Sequence, residues 1–184
     1  DLRPVARARD ERGRDLTSAV AQLDRSFADG FELAPVRGYA GPHALVLDLE
    51  GRPAEGTALL LTGWTDYAFS SDNVAARQAG LTMSVPQVEV EDAGGAWHAL
   101  GESGFPVGRP QTVVFDFTGR WAGPLRRVRI ATSMRVYWDR VQVGRVLPPG
   151  AAREPARLAP LAAELCERGG RGLQASSGRM HRLA

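Results

Sequence analysis

Short runs in which hydrophobic and polar residues alternate recur along the first 146 residues of the chain. In residues 44–49, leucine occupies every second position, at Leu45, Leu47 and Leu49, which is the pattern of a strand with one buried face. Other segments with this period, or with a continuous apolar run, are residues 2–9, 57–64, 85–91, 97–100 and 111–117. Because turn-forming residues separate these segments, the sequence predicts an all-β fold. We expect an antiparallel, jelly-roll-like β-sandwich of about eight strands.

Residues 126–143 are rich in β-branched and aromatic residues and are predicted to form two strands joined by a short Thr-Ser turn. Strict alternation along the second strand places Tyr137 and Asp139 on one face and Trp138 on the other. One of these faces is expected to join the core, so at most part of this trio is displayed.

Helical spacing is confined to short segments. Residues 15–24 carry apolar side chains at positions i, i+4 and i+7, and residues 73–78 follow two capping residue types, Ser71 and Asp72. We therefore expect short helices in the connections between strands.

The character of the sequence changes after residue 146. We interpret residues 1–146 as the sandwich domain and residues 147–154, which are rich in proline and alanine, as a linker. Leucines at helical spacing predict a C-terminal helix over residues 155–169, and the composition of residues 170–184 predicts a disordered tail.

Composition narrows the classes of function. The net charge is +2, but residues 145–184 hold 7 Arg and 3 Glu, which leaves 16 Arg and 18 acidic residues in the rest of the chain. The sandwich is thus near neutral, which disfavours a nucleic-acid partner. The single cysteine, Cys166, excludes an internal disulfide, and no apolar run is long enough to span a membrane.

Several motifs resemble a bacterial sequence family. They are residues 29–33 (Asp-Gly-Phe-Glu-Leu), 42–45 (Pro-His-Ala-Leu), 61–67 (Leu-Thr-Gly-Trp-Thr-Asp-Tyr), 70–75 (Ser-Ser-Asp-Asn-Val-Ala), 104–108 (Gly-Phe-Pro-Val-Gly) and 136–139 (Val-Tyr-Trp-Asp). Together they resemble the uncharacterised C-terminal region of FG-GAP repeat and ASPIC/UnbV-type proteins, some of which also carry tetratricopeptide repeats. The resemblance covers residues 1–165 and implies an accessory β-domain of a larger protein, with a periplasmic or extracellular location.

The last strand also resembles, at the level of fold, the closing strand of galactose-binding-like jelly rolls. It has the pattern aromatic-Trp-Asp-x-Val-x-Val, from Tyr137 to Val143. Many carbohydrate-binding modules share that fold, and the resemblance therefore implies carbohydrate as a ligand class.

The first candidate site is the loop from Trp64 to Asn73. Trp64 and Tyr67 are candidates to stack on a sugar face, with Asp66, Asp72 and Asn73 as hydrogen-bond partners of its hydroxyls. The alternative is structural, with Trp64 plugging the sandwich end, Asp72 capping a helix and Asp66 fixing the turn.

Two weaker candidates lie near the last strand. Tyr137 and Asp139 are further candidate ligand residues, although Asp139 is also placed to form surface ion pairs. Arg127, Arg129 and Arg135 are a candidate site for an acidic glycan or phosphate, and the alternative is a solvated sheet face.

Enzymatic motifs are absent from the sequence. His43 and His98 are the histidines of the predicted sandwich, and neither belongs to a recognised catalytic motif. Cys166 falls on the apolar side of the predicted tail helix, which favours a packing role. No cofactor or metal is predicted, since loop carboxylates are too sparse to indicate a structural Ca²⁺ site.

The sequence is therefore interpreted as a non-enzymatic recognition domain, with a glycan as the candidate ligand. The first alternative is a structural domain that docks on its parent chain, a propeller or tetratricopeptide domain, and the second is a hydrolase. A recognition module predicts aromatic side chains beside a concave polar surface. Docking predicts an exposed apolar patch, and a hydrolase predicts His43 or His98 in a cleft beside a carboxylate with a perturbed pKa.

Overall fold

Two antiparallel β-sheets build the first of two compact units, Asp1–Leu147, in the computed structural model, which describes residues 2–147, 166–169 and 172–175. The strands of this unit are, in chain order, β1 (Arg3–Pro4), β2 (Arg7–Asp10), β3 (Tyr39–Pro53), β4 (Thr57–Thr65), β5 (Gln87–Glu91), β6 (Trp97–Glu102), β7 (Gln111–Asp116), β8 (Pro124–Met134) and β9 (Val136–Arg145). One sheet has the order β1-β9-β4-β7 and the other β2-β3-β8-β5-β6. The predicted all-β sandwich is confirmed.

The core lies between the two sheets and follows the predicted alternation. Leu45, Leu47 and Leu49 of β3 are 4%, 0% and 1% exposed. From the opposite sheet, Leu59 and Leu61 of β4 are fully buried. The two-residue period therefore identifies the buried face of the long strands.

Both strands predicted in residues 126–143 are present, but the Thr-Ser turn predicted between them is wrong. β8 pairs with β3 and β5, whereas β9 pairs with β4 and β1, so the chain passes from one sheet to the other at Arg135. The Thr-Ser pair stays in β8 because Ser84 bonds to it. Thr132 Oγ1 donates to the Ser84 carbonyl at 2.7 Å, and the Ser84 N–H donates to Ser133 Oγ at 2.8 Å. Thr and Ser side chains often stabilise turns through bonds to their own backbone. Here a segment distant in sequence supplies their hydrogen-bond partners instead.

The predicted first strand, residues 2–9, is divided between the sheets. β1 pairs with β9 and β2 pairs with β3. Pro4 has no N–H to donate and suits the end of an edge strand. Val5 and Ala8 are both buried, so this segment closes one side of the sandwich.

The helix predicted over residues 15–24 is reduced to a single 3-10 turn, Ser18–Val20. The preceding residues are held by β2 instead, since the Leu16 N–H donates to the Ala8 carbonyl at 2.9 Å. The Ala8 N–H in turn donates to Thr17 Oγ1 at 3.0 Å. These bonds to a neighbouring strand replace the bonds of a longer helix.

The second compact unit is Pro148–Ala184. Its described residues form an antiparallel pair, β10 (Cys166–Gly169) and β11 (Gly172–Ala175). The last four residues of the predicted helix, residues 166–169, therefore lie in a strand. The rest of the predicted helix and linker, and most of the predicted tail, lie outside the described residues.

Candidate functional site

Trp64 and Tyr137 lie opposite each other on β4 and β9. Their rings stack with centroids 4.9 Å apart and an interplanar angle of 11°. Phe27 lies edge-on to both rings at 6.2 Å, and Phe31 lies 5.1 Å from Tyr137. Burial among these rings raises the pKa of the Tyr137 phenol. The ring faces that a sugar would need are thus largely occupied by other protein rings.

Asp66 is held between two arginines. Its Oδ1 accepts from Arg37 Nε at 2.7 Å, and its Oδ2 accepts from Arg135 Nη1 at 3.2 Å. Arg135 also donates to three backbone carbonyls of residues 34–39, at distances of 3.0, 2.7 and 3.1 Å. The pair Asp66–Arg135 therefore fixes the loop of residues 34–39 against the sandwich.

The remaining polar residues of the predicted loop site also have protein partners. The helix after β4, α1 (Ser70–Gln78), begins three residues before the predicted start. Asp72 accepts the Phe69 N–H at 2.8 Å and so stabilises the first turn of α1. Asn73 Oδ1 accepts from the Tyr39 hydroxyl at 2.9 Å, and the Tyr67 ring lies edge-on to Phe69 at 5.4 Å.

Asp139 is 3% exposed and occupies an irregular position in β9. The register with β4 shifts there, because Arg140 pairs with Thr62 and Trp138 pairs with the next residue, Gly63. This bulge breaks the alternation that placed Tyr137 and Asp139 on a common face. Asp139 Oδ1 instead accepts the backbone N–H groups of residues 24 and 25, at 3.3 and 2.8 Å.

The three arginines of the predicted anion site are not brought together. Arg127 pairs with Glu91, and Arg129 pairs with Glu89, both across β8 and β5. The Arg129 guanidinium also lies 4.5 Å from the centre of the Trp97 ring. Arg135 contacts the 34–39 loop instead, so each arginine has a local partner.

His43 borders a small, partly open cavity of about 30 Å³. Asp10, Glu11 and Thr132 also line it. His43 Nδ1 lies 2.9 Å from the Gly41 carbonyl, its ring stacks on a phenylalanine at 4.2 Å, and burial lowers the pKa of its imidazole. A histidine beside carboxylates is what the hydrolase alternative predicts. This cavity is too small for a substrate, but His43 also lines the larger groove described below, together with the carboxylates of Glu32 and Glu89.

His98 forms a different kind of pair. Its Nε2 lies 2.6 Å from Asp92 Oδ2, and this hydrogen bond is the main cause of the lowered pKa of the Asp92 carboxyl. Asp92 also accepts the N–H groups of Gly94 and Ala96, at 2.8 and 2.9 Å. These bonds fix the turn between β5 and β6, which indicates a structural role for the pair.

An open groove of about 670 Å³ lies on the outer face of the five-stranded sheet. Its floor is formed by Ala131 of β8 with Gln87 and Glu89 of β5. One wall is made by residues 32–35 and 40–43, and the other by Gly80, Leu81, Thr82 and Ser84. Other surface depressions of the domain have volumes of about 510 to 680 Å³, so the lining of this groove, and not its volume, distinguishes it.

Several polar side chains of this groove have no partner among the described residues. Within the described part of the chain, the Glu32 carboxylate, the Gln87 amide and the hydroxyls of Thr82 and Ser84 make no hydrogen bond or ion pair. They come from segments that are distant in sequence, so their convergence is visible only in the fold. The one feature of the sequence that could have indicated this groove is Gln87, a polar residue on the outward face of a predicted strand.

Metal and membrane features add little to this picture. Among the described residues, no three histidine, cysteine or carboxylate side chains are grouped to hold a metal ion. None of the helices within the described residues has the length and apolar character needed to cross a membrane.

Comparisons with protein-family models, with curated proteins and with solved structures found no match to this chain. The resemblances to the FG-GAP and ASPIC/UnbV-type region and to galactose-binding-like jelly rolls therefore stay predictions.

Proposed function

We propose that this domain is a non-catalytic recognition module of a larger bacterial protein, and that it binds carbohydrate in the groove on the five-stranded sheet. The observation that carries the proposal is the set of unpaired polar groups around about 670 Å³ of open space. Glu32, Thr82 and Ser84 are exposed and Gln87 is half-buried, so these groups are accessible to a ligand, and their convergence on one concave surface favours a polar one.

The chemistry of the groove suits a sugar. Its free groups include acceptors, donors and hydroxyls that do both, which match the donor and acceptor capacity of sugar hydroxyls. Leu33 is 54% exposed and, with Pro42 and Leu81, gives the walls apolar surface. A sugar has apolar C–H faces as well as hydroxyls, and both kinds of surface find partners here.

The loop from Trp64 to Asn73 takes a supporting role in this proposal. Asp66 and Arg135 hold the 34–39 loop, which forms part of one groove wall. Because a site is effective only when its walls are held in place, these residues are expected to act on binding indirectly.

Docking on a parent chain is the competing function. It is favoured by Val114, which is 60% exposed on β7 and lies opposite the half-buried Leu60 on the outer face of the four-stranded sheet. Other exposed apolar residues, such as Leu2 and Val107, fall on separate segments. Apolar residues scattered in this way are common on monomeric proteins.

A glycan-array screen of the full chain, followed by titration of any hit, tests the proposal. Ala131→Leu places a larger side chain on the groove floor without removing a hydrogen bond and is expected to abolish binding. Gln87→Ala is expected to weaken binding by about two- to tenfold, the effect of one hydrogen bond. Ala99→Leu is the matched control, because Ala99 is an exposed alanine of β6 outside the groove.

The outcomes separate the alternatives. Binding that survives Ala131→Leu but is lost in Trp64→Ala or Tyr67→Ala would place the site on the 64–73 loop and contradict the groove. If the folded protein binds no glycan, carbohydrate recognition is overturned and docking is the better account.

A further inference from the structure

Within residues 2–147, the two sheets have four edge strands, and three of them are protected against pairing with another strand. β1 is two residues long and ends at Pro4, which has no N–H to donate. β2 is covered by residues 16–17, which bond to the Ala8 backbone. β6 contains a bulge, because Leu100 has no opposite residue in β5. Sheets commonly avoid edge-to-edge association by such means.

β7 (Gln111–Asp116), the fourth edge strand, lacks these protections. It has six residues, pairs with β4 without a register shift, and contains no proline or basic residue. Val114, near its centre, is 60% exposed. The charged residue of the strand, Asp116, lies at its end. β7 is therefore the edge of the sandwich that is open to pairing.

The hydrogen-bond pattern of β7 shows which of its backbone groups are free. The Phe117 N–H donates to the Thr57 carbonyl, in the same register in which β7 pairs with β4. Because bonded and non-bonded positions alternate in an antiparallel pair, the backbone groups of Thr112, Val114 and Asp116 point away from β4. Among the described residues, none bonds to these N–H and C=O groups.

We infer that a second copy of this chain covers this edge. β7 pairs antiparallel with β7 of the partner about a two-fold axis at Val114, which joins the two four-stranded sheets into one continuous sheet. Thr112 then lies opposite Asp116 of the partner subunit, where its hydroxyl can donate to that carboxylate, and the two valines pair on the outer face. The carbohydrate site is independent of this contact, since the groove lies on the other sheet.

The sequence of β7 is complementary to itself in this register. A two-fold axis at Asp116 would place two carboxylates opposite each other. An axis at Thr112 would place Val114 opposite Pro110 of the partner subunit, which has no N–H. With the axis at Val114, the two Asp116 residues lie about 14 Å apart, beyond the Debye length of about 8 Å at physiological salt. This self-complementarity favours a second copy of the chain over an unrelated strand.

The dimer is expected to be weak and transient. Six residues from each chain bury much less surface than the roughly 1,200 Å² at which stable interfaces begin. Its detection therefore requires a wide range of protein concentration.

The test is sedimentation velocity of the full chain from low micromolar to near-millimolar concentration. A monomer–dimer equilibrium is expected for the wild type. Val114→Glu and Val114→Lys are each expected to abolish the dimer, because each places like charges opposite each other at the two-fold axis. An equimolar mixture of the two variants is expected to restore it, since opposite charges then face each other.

Val74→Glu is the matched control, because Val74 is a valine of similar exposure, 58%, on α1. It is expected to leave the dimer unchanged, and circular dichroism checks that all variants fold. Amide hydrogen exchange of the wild type needs no substitution. The open-edge amides of β7 should exchange more slowly at high protein concentration, where the dimer protects them.

The remaining outcomes contradict the inference at different points. A wild type that stays monomeric at all concentrations, or unchanged exchange at β7, would overturn the dimer. A dimer that persists in both single variants would place the interface elsewhere. A dimer lost in both variants and not restored by mixing them would overturn the two-fold axis at Val114.

Discussion

Asp139 and Asp66 illustrate how individual polar side chains are used in this molecule. Each was a candidate ligand residue from sequence, and each is bonded to another part of the same chain. Asp139 accepts backbone N–H groups of residues 24 and 25, and Asp66 bridges Arg37 and Arg135. Breaking such bonds is unfavourable, because a buried acceptor left without a donor costs about 1–3 kcal/mol. These carboxylates therefore hold the loops that they contact in place.

The sequence could identify these residues as polar groups in special positions, but it could not identify their partners. Asp139 lies more than 110 positions along the chain from the backbone groups that it binds, as the separations of 114 and 115 show. The sequence around a carboxylate is the same whether its side chain binds a ligand or another part of the chain. The free side chains of Glu32 and Gln87 were not predicted as site residues, since nothing near them in sequence distinguishes them.

His43 provides a prediction at the scale of one residue. Its pKa is lowered by burial from the ordinary value of 6.5, so the unfolded chain takes up a proton at a higher pH than the folded protein does. Its contribution to stability is therefore complete above pH 6.5 and is lost as the pH falls from 6.5 through the folded-state pKa. His43→Gln removes this titration.

The measurement is urea unfolding of wild type and His43→Gln at about pH 7.5 and about pH 5. The free energy of unfolding of the wild type should fall more on acidification than that of the variant. Asp10, Glu11 and Arg14, which also face the cavity, are present in both proteins, so their effects are largely shared. An equal change in the two proteins would show that His43 is not the group responsible.

At the scale of elements, the close approach of β4 and β9 depends on Gly63. A Cβ atom added there would overlap the Tyr137 carbonyl oxygen and lie 3.0 Å from the Trp138 Cα. This approach occurs where the register shifts at the Asp139 bulge. Glycine is thus required where two backbones meet closely.

Gly63→Ala is expected to lower the free energy of unfolding by about 1–3 kcal/mol, because the strands must move apart to admit the methyl group. Chemical denaturation followed by circular dichroism measures this change. Gly94→Ala is the control, since its added Cβ would meet only the Asp92 side chain at 3.3 Å. Similar midpoints for the two variants would contradict the proposed role of the β4–β9 contact.

Element positions were more predictable than their pairing. The strands of residues 44–49 and 57–64 were placed from their own patterns, because alternation is a local property. The two strands predicted in residues 126–143 are present, but the Thr-Ser turn between them was wrong, because a two-strand pattern specifies neither where the first strand ends nor which sheet each strand joins. Ser84 and Arg135 decide that point through contacts with distant segments.

At the scale of the whole molecule, the two sheets share one core. Leu59 of the four-stranded sheet and Leu47 of the five-stranded sheet are both fully buried in it. The chain also passes between the sheets after β1 and at Arg135, so neither sheet is formed from a separate length of chain. The sandwich is therefore expected to unfold as one cooperative unit.

Leu59→Ala is expected to lower the free energy of unfolding by about 2–5 kcal/mol, because it leaves a cavity in this shared core. The matched control is Leu60→Ala, which alters the next, half-buried residue of the same strand and should cost less. Tryptophan fluorescence and circular dichroism should give coincident transitions in both variants. Separate transitions for the two signals would show that the sheets unfold independently.

The sequence by itself determined the all-β class, the buried faces of the long strands and the near-neutral charge of the sandwich. These properties depend on composition and on the alternation of neighbouring residues, both of which are local. Only the tertiary structure decided how the strands pair, which carboxylates are occupied and where Glu32, Thr82 and Gln87 converge on a groove. Those outcomes depend on hydrogen bonds, ion pairs and packing between distant segments, which local periodicity does not encode.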